Sequence, residues 1–161
     1  MRQFGTRLGF QPSAADLRIL HASIPEWPPF PDTVPALQQL QKHYRLAIIS
    51  NIDDDLFVET RKLLGVEFDT VITAEQAQSY KPSLNNFHLA LKKLQVGPER
   101  LLHVGQSIYH DVIPAQSLGI ATVRVNRKSA RPGVGAVRPA AGKPDLEVPD
   151  LKTLVALATR G

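Results

Sequence analysis

The chain has no cysteine, which excludes disulfide bonds and thiolate metal sites. A protein without disulfides fits a reducing compartment, so we expect a cytoplasmic location. The sequence also lacks any apolar run near the roughly 20 residues that a membrane-spanning helix needs, and we expect no membrane partner. The residues that are present suffice for one ordinary core, because 43% of the 161 residues are hydrophobic.

Acidic residues are missing from a basic segment that ends at Asp145, although the whole chain has a formal charge of only +4. The segment also lacks aromatic side chains, on which single-stranded nucleic acids stack their bases. We therefore expect a solvated loop there and no nucleic-acid partner. The basic residues of the segment are Arg127, Lys128, Arg131, Arg138 and Lys143.

Short apolar runs alternate with amphipathic stretches from residue 32 onward. The uninterrupted runs are typical of strands buried on both faces, and the stretches between them have helical spacing. This order predicts a doubly wound, Rossmann-like α/β fold with a parallel sheet. A stretch rich in Pro, Gly and Ala, Asn126 to Pro144, predicts a long surface loop. The predicted strands are LAIIS, FDTVIT, LLHVG, IATVRV and LEV.

Four prolines between Pro25 and Pro31 divide the chain into two predicted parts, residues 1–30 and residues 31–161. Proline fixes φ and removes a backbone donor, so this stretch is expected to be extended. Before it, Ala14 to Ile24 predicts a helix with Ser13 as its N-cap. After it, Asp32 is expected to cap a helix that runs to Tyr44.

Polar residues follow two of the predicted strands and precede one helix. Ser50 and Asn51 come directly after LAIIS, and Lys81 stands before Pro82 in a turn. Because the carboxyl ends of parallel strands meet at one edge of a sheet, such groups can bind a small anionic substrate there. Alternatively, Ser50 or Asn51 caps the helix that begins near Asp53, and Lys81 is an exposed surface lysine.

A third turn follows LLHVG, where Gly105 lets the backbone turn sharply. Gln106 and Ser107 offer neutral hydrogen-bonding groups there, and Asp111 lies about one helical turn further on, facing the same cleft. His110 is a candidate general base, whereas His103 lies within the apolar strand and is expected to be a hydrogen-bonded core histidine.

The aspartates at positions 53 to 55 suggest a metal cluster, yet acidic residues in the first turn of a helix are favoured by its dipole. We therefore favour a structural role for them. No predicted strand ends in an aspartate that would serve as the nucleophile of such a site.

Four stretches together resemble the haloacid dehalogenase superfamily of hydrolases, and within it the 2-haloacid dehalogenase-type branch. The resemblance extends over nearly the whole chain. It implies a Rossmann-like core and, for the first 30 residues, the C-terminal remnant of a helical cap domain. The four stretches are WPPFPDTVPAL, LAIISNIDDDLF, SYKPSLNNF and LLHVGQSIYHDVIPAQSLGIATVRVNR.

The resemblance implies hydrolytic removal of halide from short 2-haloacids through an aspartyl-ester intermediate. On this basis Lys81, Ser107 and Asp111 are the predicted catalytic residues. The predicted substrate-binding residues are Ser50, Asn51 and Gln106. Activation of water is assigned to Asp111 or to His110, and the sequence leaves both open.

The phosphatases of this superfamily carry a magnesium-binding aspartate after the glycine, and often an asparagine before the later aspartate. Here these positions hold Gln106 and His110. A glutamine offers no charge, and magnesium prefers carboxylates. We therefore expect no cofactor and no metal ligand, with a magnesium-dependent phosphatase as the alternative function.

In this superfamily the nucleophile follows an N-terminal strand, and nothing of that kind precedes Arg45. The resemblance therefore implies an N-terminally truncated chain that is inactive alone. The missing strand would lie between LAIIS and LLHVG and leave two exposed strand edges. We expect these edges to pair in a homodimer or with a strand-donating partner. An alternative from a different functional class is that the chain is a non-catalytic fragment that binds a partner.

Overall fold

The computed structural model describes residues 2–127 and 140–159. Strands and helices alternate through most of this chain, as the sequence predicts. No helix of the described residues is long and apolar enough to cross a membrane. The helices are α1 (Arg2–Leu8), α2 (Ala14–Ser23), α3 (Thr33–Leu40), α4 (Asp54–Leu64), α5 (Ala74–Ala77), α6 (Leu84–Leu94), α7 (Ile113–Ser117) and α8 (Leu151–Ala158). The strands are β1 (Ala47–Ile49), β2 (Thr70–Ile72), β3 (Leu102–Gly105), β4 (Ala121–Val125) and β5 (Leu146–Val148).

All strand pairs in the described residues are parallel, but they form two separate sheets. In one, β1 pairs with β2 and Ile49 is opposite Ile72. In the other, β3 pairs with β4 and β4 with β5, with His103 opposite Thr122. β1 and β3 are not hydrogen-bonded to each other, so the structure is divided where the sequence analysis expected an open edge.

Helix α6 packs against β1 and β2, and its Phe87 ring meets His103 of β3 in the other sheet. Its buried residues Asn86, Phe87, Ala90 and Leu94 recur every three or four positions and form one face. Ala90 joins a cluster around Ile72, and Phe87 joins a second cluster with Ala115 and Ile120. The two clusters meet because Ile49 of β1 packs against both.

Several helix ends follow local rules that are readable in the sequence. The Ser13 hydroxyl accepts a hydrogen bond from the Asp16 amide, and the Asp16 carboxylate accepts one from the Ser13 amide, which confirms the predicted N-cap of α2. Gly65 has φ +61°, the left-handed conformation that ends α4. Asp53 is at the N-cap position of α4, so neither Ser50 nor Asn51 caps that helix.

Two expectations near the proline-rich stretch are wrong. Pro25 lies within a 3₁₀ turn (Ile24–Glu26) and is not extended. Asp32 does stand at the N-cap position of α3, but its carboxylate makes no cap bond there. It instead accepts bonds from the Arg127 guanidinium at 2.8 and 2.9 Å and from the Leu151 amide at 2.7 Å. The Arg127 guanidinium and the Leu151 amide at the start of α8 thus take up the Asp32 carboxylate, which the sequence assigned to the N-cap of α3.

The chain departs from the predicted limits in two further places. α3 ends at Leu40, not at Tyr44, whose hydroxyl donates to the Ala158 carbonyl of α8. The helix after β3 begins as a π-helical turn (Ile108–Val112) before α7. The predicted loop from Asn126 to Pro144 falls largely on residues 128–139, which lie outside the described residues.

Candidate active site

A buried ion pair stands where the two sheets meet. The Lys81 Nζ donates to Asp111 Oδ1 at 2.6 Å, and the side chains are only 13% and 10% exposed. Lys81 lies between β2 and α6, and Asp111 lies in the π-helical turn after β3. The structure thus brings together two predicted catalytic residues that are 30 positions apart in the sequence.

Asn51 fixes the backbone of Lys81. Its side-chain oxygen accepts from the Lys81 amide at 2.6 Å, and its side-chain nitrogen donates to the Lys81 carbonyl at 3.1 Å. Because Asn51 follows β1, the carboxyl ends of β1 and β3 point to the same site. The peptide bond between Lys81 and Pro82 is cis. Asn51 therefore holds Lys81 in place, and its contact with substrate stays a prediction.

The turn after β3 wraps around the Asp111 carboxylate. The Ser107 amide donates to Asp111 Oδ2 at 3.0 Å, and the Ser107 hydroxyl accepts from the His110 amide at 3.0 Å. The His110 Nδ1 also lies 3.0 Å from that hydroxyl. Gly105 is required because a Cβ there would lie 2.6 Å from the Cβ and Cγ of Asp111. The third predicted catalytic residue, Ser107, therefore belongs to the same cluster.

The surroundings of Asp111 keep it ionised. Burial by itself raises the pKa of this carboxyl, but the hydrogen bond from His103 and the charge and hydrogen bond of Lys81 outweigh burial. The pKa of Asp111 is therefore well below its ordinary value. An ionised carboxylate that accepts from Lys81 and from the Ser107 amide is a weak proton acceptor and a strong anchor for the lysine.

His103 is a site residue that the sequence analysis placed only in the core. It is a hydrogen-bonded, buried histidine, as expected, but its partner is the Asp111 carboxylate, with Nε2 3.3 Å from Oδ1. The signal that could have revealed it is strand alternation, because His103 and Gly105 are two positions apart and share a face of β3.

The other predicted residues are less closely integrated. The Ser50 amide donates to the Ile72 carbonyl at 2.9 Å, which places this half-buried residue beside β2. Gln106 is exposed, and its backbone carbonyl accepts a hydrogen bond from Arg124 Nε at 3.3 Å. Both lie at the carboxyl end of a strand, and their roles towards a substrate stay predictions.

An open acidic surface lies beside this site, between the start of α4 and the α5 segment. Its lining includes Asp53, Asp54, Asp55 and Glu75. Asp54 Oδ1 accepts hydrogen bonds from Thr73 and Gln76, both at 2.7 Å. These carboxylates give this surface a negative potential, which disfavours anions. Within residues 2–127 and 140–159, no group of three His, Asp or Glu side chains is arranged to hold a metal ion.

Parallel strands with a buried lysine–aspartate pair at their carboxyl ends define an α/β protein whose polar cluster lies where such folds place their ligand sites. The family is identified by comparison, since a family model of the haloacid dehalogenase-like hydrolases matches residues 6–119. The chain belongs to this family of hydrolases. The fold and the family predicted from the sequence are thereby confirmed.

Relatives of this chain have two different activities in their names. A glyceraldehyde 3-phosphate phosphatase of Methanothermobacter thermautotrophicus is 35% identical over 101 residues, 61% of this chain and 45% of that protein. An (S)-2-haloacid dehalogenase 4A of Burkholderia cepacia is 28% identical over 106 residues, 64% of this chain and 46% of that protein. The chain thus spans about half the length of these relatives.

A solved structure of the L-2-haloacid dehalogenase from Xanthobacter autotrophicus, with chloropropionic acid covalently bound, is similar with a TM-score of 0.80. The two sequences are 27% identical, and the match covers 96% of this chain and 71% of that one. Family membership is therefore shown, whereas the similarities include both dehalogenases and phosphatases.

Proposed function

We propose that this chain provides the anion-binding and lysine-positioning part of a hydrolase that removes halide from short 2-haloacids. The observation that carries the proposal is the buried Lys81–Asp111 pair, with Asn51 on the lysine backbone and the Ser107 amide on the aspartate. An ammonium group held in this way is a fixed point charge for a small carboxylate.

The neutral Gln106 favours dehalogenation over phosphate-ester hydrolysis. A phosphatase of this family would use magnesium, but the donor set around Asp111 fits that ion poorly. One carboxylate oxygen already accepts from Lys81 and lies near His103, and the other accepts from the Ser107 amide. Magnesium prefers carboxylates and near-octahedral oxygen ligands, and Gln106 contributes no charge. We derive no step through a metal.

The proposed chemistry has two steps. A carboxylate attacks the halogen-bearing carbon, a C–O bond forms, the carbon–halogen bond breaks, and halide leaves with the electron pair. Water then attacks the carbonyl carbon of the enzyme ester, which gives a 2-hydroxyacid, the free carboxylate and one proton. The low pKa of Asp111 makes it a poor base for that water. We assign the proton to His110, whose ring lies beside Ser107.

Asp111 is also a poor candidate for the attacking carboxylate, because it is buried and bound by three donors. We propose that the nucleophilic aspartate is carried by an extended segment between β1 and β3, which are not bonded to each other. A partner of different sequence would donate this strand, because no strand predicted from this sequence ends in such an aspartate. The chain alone is then expected to bind substrate without turnover.

The test is a titration of the chain with 2-chloropropionate, followed by the amide resonances of Lys81 and Ser107. Lys81→Met should weaken binding at least about tenfold through loss of the fixed charge. Lys62→Met is the matched control, because Lys62 is an exposed lysine on α4 that pairs with the exposed Glu59. Equal binding by the wild-type chain and Lys81→Met would overturn the proposed anion site.

The phosphatase remains a second candidate because the archaeal relative named for phosphatase activity is 35% identical. Halide release and phosphate-ester cleavage should be measured in parallel, each with and without magnesium. We expect neither product from the chain alone. Phosphate release that requires magnesium and is lost in Asp111→Asn would reverse the assignment.

A further inference from the structure

His103 presents a ring nitrogen to the same oxygen atom that Lys81 contacts. Its Nε2 lies 3.3 Å from Asp111 Oδ1, and its side chain is only 10% exposed. The Phe87 ring meets the imidazole edge-on, with centroids 5.0 Å apart and planes inclined by 67°. Phe87 is fully buried, so the orientation of the imidazole is set by packing on α6.

The contact requires hydrogen on Nε2. A bare ring nitrogen would place its lone pair against those of an ionised carboxylate, and the Ser107 amide already donates to the other oxygen of that carboxylate. With Nε2–H the same distance is a charge-assisted hydrogen bond. The carboxylate then has donors from three segments: β3, the β2–α6 connection and the turn after β3.

We propose that His103 is a positioning residue that donates its Nε2 hydrogen to Asp111 and thereby fixes the carboxylate that orients Lys81. His103 does not touch the proposed reaction centre and acts only through Asp111. This role of His103 follows from the geometry around Asp111 and would be the same in a dehalogenase and in a phosphatase.

The charged and titratable side chains against the Asp111 carboxylate are Lys81 and His103. His110, on the same turn, faces the Ser107 hydroxyl, and Arg124 of β4 bonds the Gln106 carbonyl. A change in the titration of Asp111 after substitution of His103 therefore reports the His103 contact, provided that Lys81 is unchanged.

Two substitutions separate positioning from packing. His103→Phe keeps an aromatic ring against Phe87 but has no donor, whereas His103→Gln loses the ring and keeps an N–H near the Nε2 position. The titration midpoint of the Asp111 carboxyl carbon, followed by NMR, should rise by about one pH unit or more in His103→Phe. His103→Gln should restore much of the wild-type midpoint.

A purely structural histidine would give the reverse pattern, with His103→Phe like wild type and His103→Gln perturbed, and that result would overturn the proposal. The wild-type chain gives a second measurement that needs no variant. Nitrogen NMR should show a hydrogen on Nε2 near neutral pH, and an unprotonated Nε2 would equally overturn the assignment. Neither measurement uses substrate, so both are independent of the proposed function.

Discussion

Gly105 and Asp111 approach each other so closely that residue 105 has no room for a side chain. In Gly105→Ala the new Cβ would lie 2.6 Å from Asp111 Cγ and 2.7 Å from Oδ2. The carboxylate must then move away from Lys81 and the Ser107 amide. We expect a loss of about 2 kcal/mol in the free energy of unfolding by urea, as for other overpacked sites.

Gly97→Ala is the control for this prediction. The three atoms nearest to a Cβ at Gly97 belong to the carboxylate end of Glu99, which is a flexible side chain that can move aside. We expect this variant to lie within about 0.5 kcal/mol of wild type. If Gly105→Ala were equally harmless, the close packing of Asp111 on β3 would not contribute to stability.

Asp111→Asn removes the charge that compensates the buried ammonium of Lys81. Because both side chains are nearly buried, we expect a loss of about 3 kcal/mol in the free energy of unfolding. The control is Glu59→Gln, which breaks an exposed pair with Lys62 and should change stability by less than about 0.5 kcal/mol. Similar losses in both variants would mean that burial of the Asp111 pair has no energetic effect.

The same variant gives a pH dependence with a definite sign. Since folding lowers the pKa of Asp111, its contribution is complete above the ordinary aspartate pKa of about 4 and is lost as the pH falls towards the lower folded value. The stability difference between wild type and Asp111→Asn should therefore be constant near neutral pH and shrink below about pH 4. A difference that grows with acid would contradict the assignment.

The polar residues of the turns were predictable from the sequence because parallel strands bring their carboxyl ends together. Lys81, Ser107 and Asp111 form one cluster for this reason. The part played by His103 was not predicted, because strand alternation places it on the same face as Gly105 but does not show that Asp111, eight positions later, folds back onto that face. The contact between Asn51 and the Lys81 backbone also depends on tertiary structure.

At the scale of elements, a single carboxylate caps the N-terminus of α8. Asp150 accepts a hydrogen bond from the Thr153 amide at 2.7 Å. Asp150→Ala should therefore lower the free energy of unfolding, because the Thr153 amide loses its acceptor. Asp53 occupies the same position in α4 but makes no such bond, so Asp53→Ala should have less than half the effect. Chemical denaturation of both variants tests this difference.

Helices with complete local signals were predicted well, whereas helices shaped by distant contacts were not. α4 and α6 have amphipathic spacing and local end signals, and they lie between predicted strands, where the sequence predicts helices. Asp32 was assigned to its own helix because the sequence does not show Arg127, 95 positions away, competing for its carboxylate. The π-helical turn after β3 likewise follows from the way the chain folds around Asp111.

At the scale of the whole molecule, β3 presents apolar side chains that the described residues leave exposed. Leu102 is 49% and Val104 36% exposed, beside a strand edge that does not pair with β1. Exposed edges with apolar side chains favour association between chains. We expect concentration-dependent association in sedimentation experiments and less of it in Val104→Lys.

Val58→Lys is the matched control, because Val58 is 53% exposed on α4, away from the strand edge. It should leave the association of the wild-type chain unchanged. A wild-type chain that sediments as a monomer at all accessible concentrations would contradict the prediction.

The alternation of strands and helices was sufficient to predict the parallel architecture, since each crossover needs a helix. The division into residues 1–30 and 31–161 stays a prediction, as do the cytoplasmic location and the strand-donating partner. Such properties depend on other molecules or on longer-range packing, which the residue pattern from 32 onward does not encode.

The route from Asn51 through Lys81 to Asp111 joins two sheets that share no backbone hydrogen bond. An anion that contacts both the Lys81 ammonium and the β1 end would act as a removable non-covalent cross-link between them. At a concentration one hundred times its dissociation constant, such a ligand adds about 2.7 kcal/mol to the free energy of unfolding. Thermal-shift screening of small carboxylates at equal concentration would therefore rank them by their affinity for the folded chain, in which the two sheets are joined at this site.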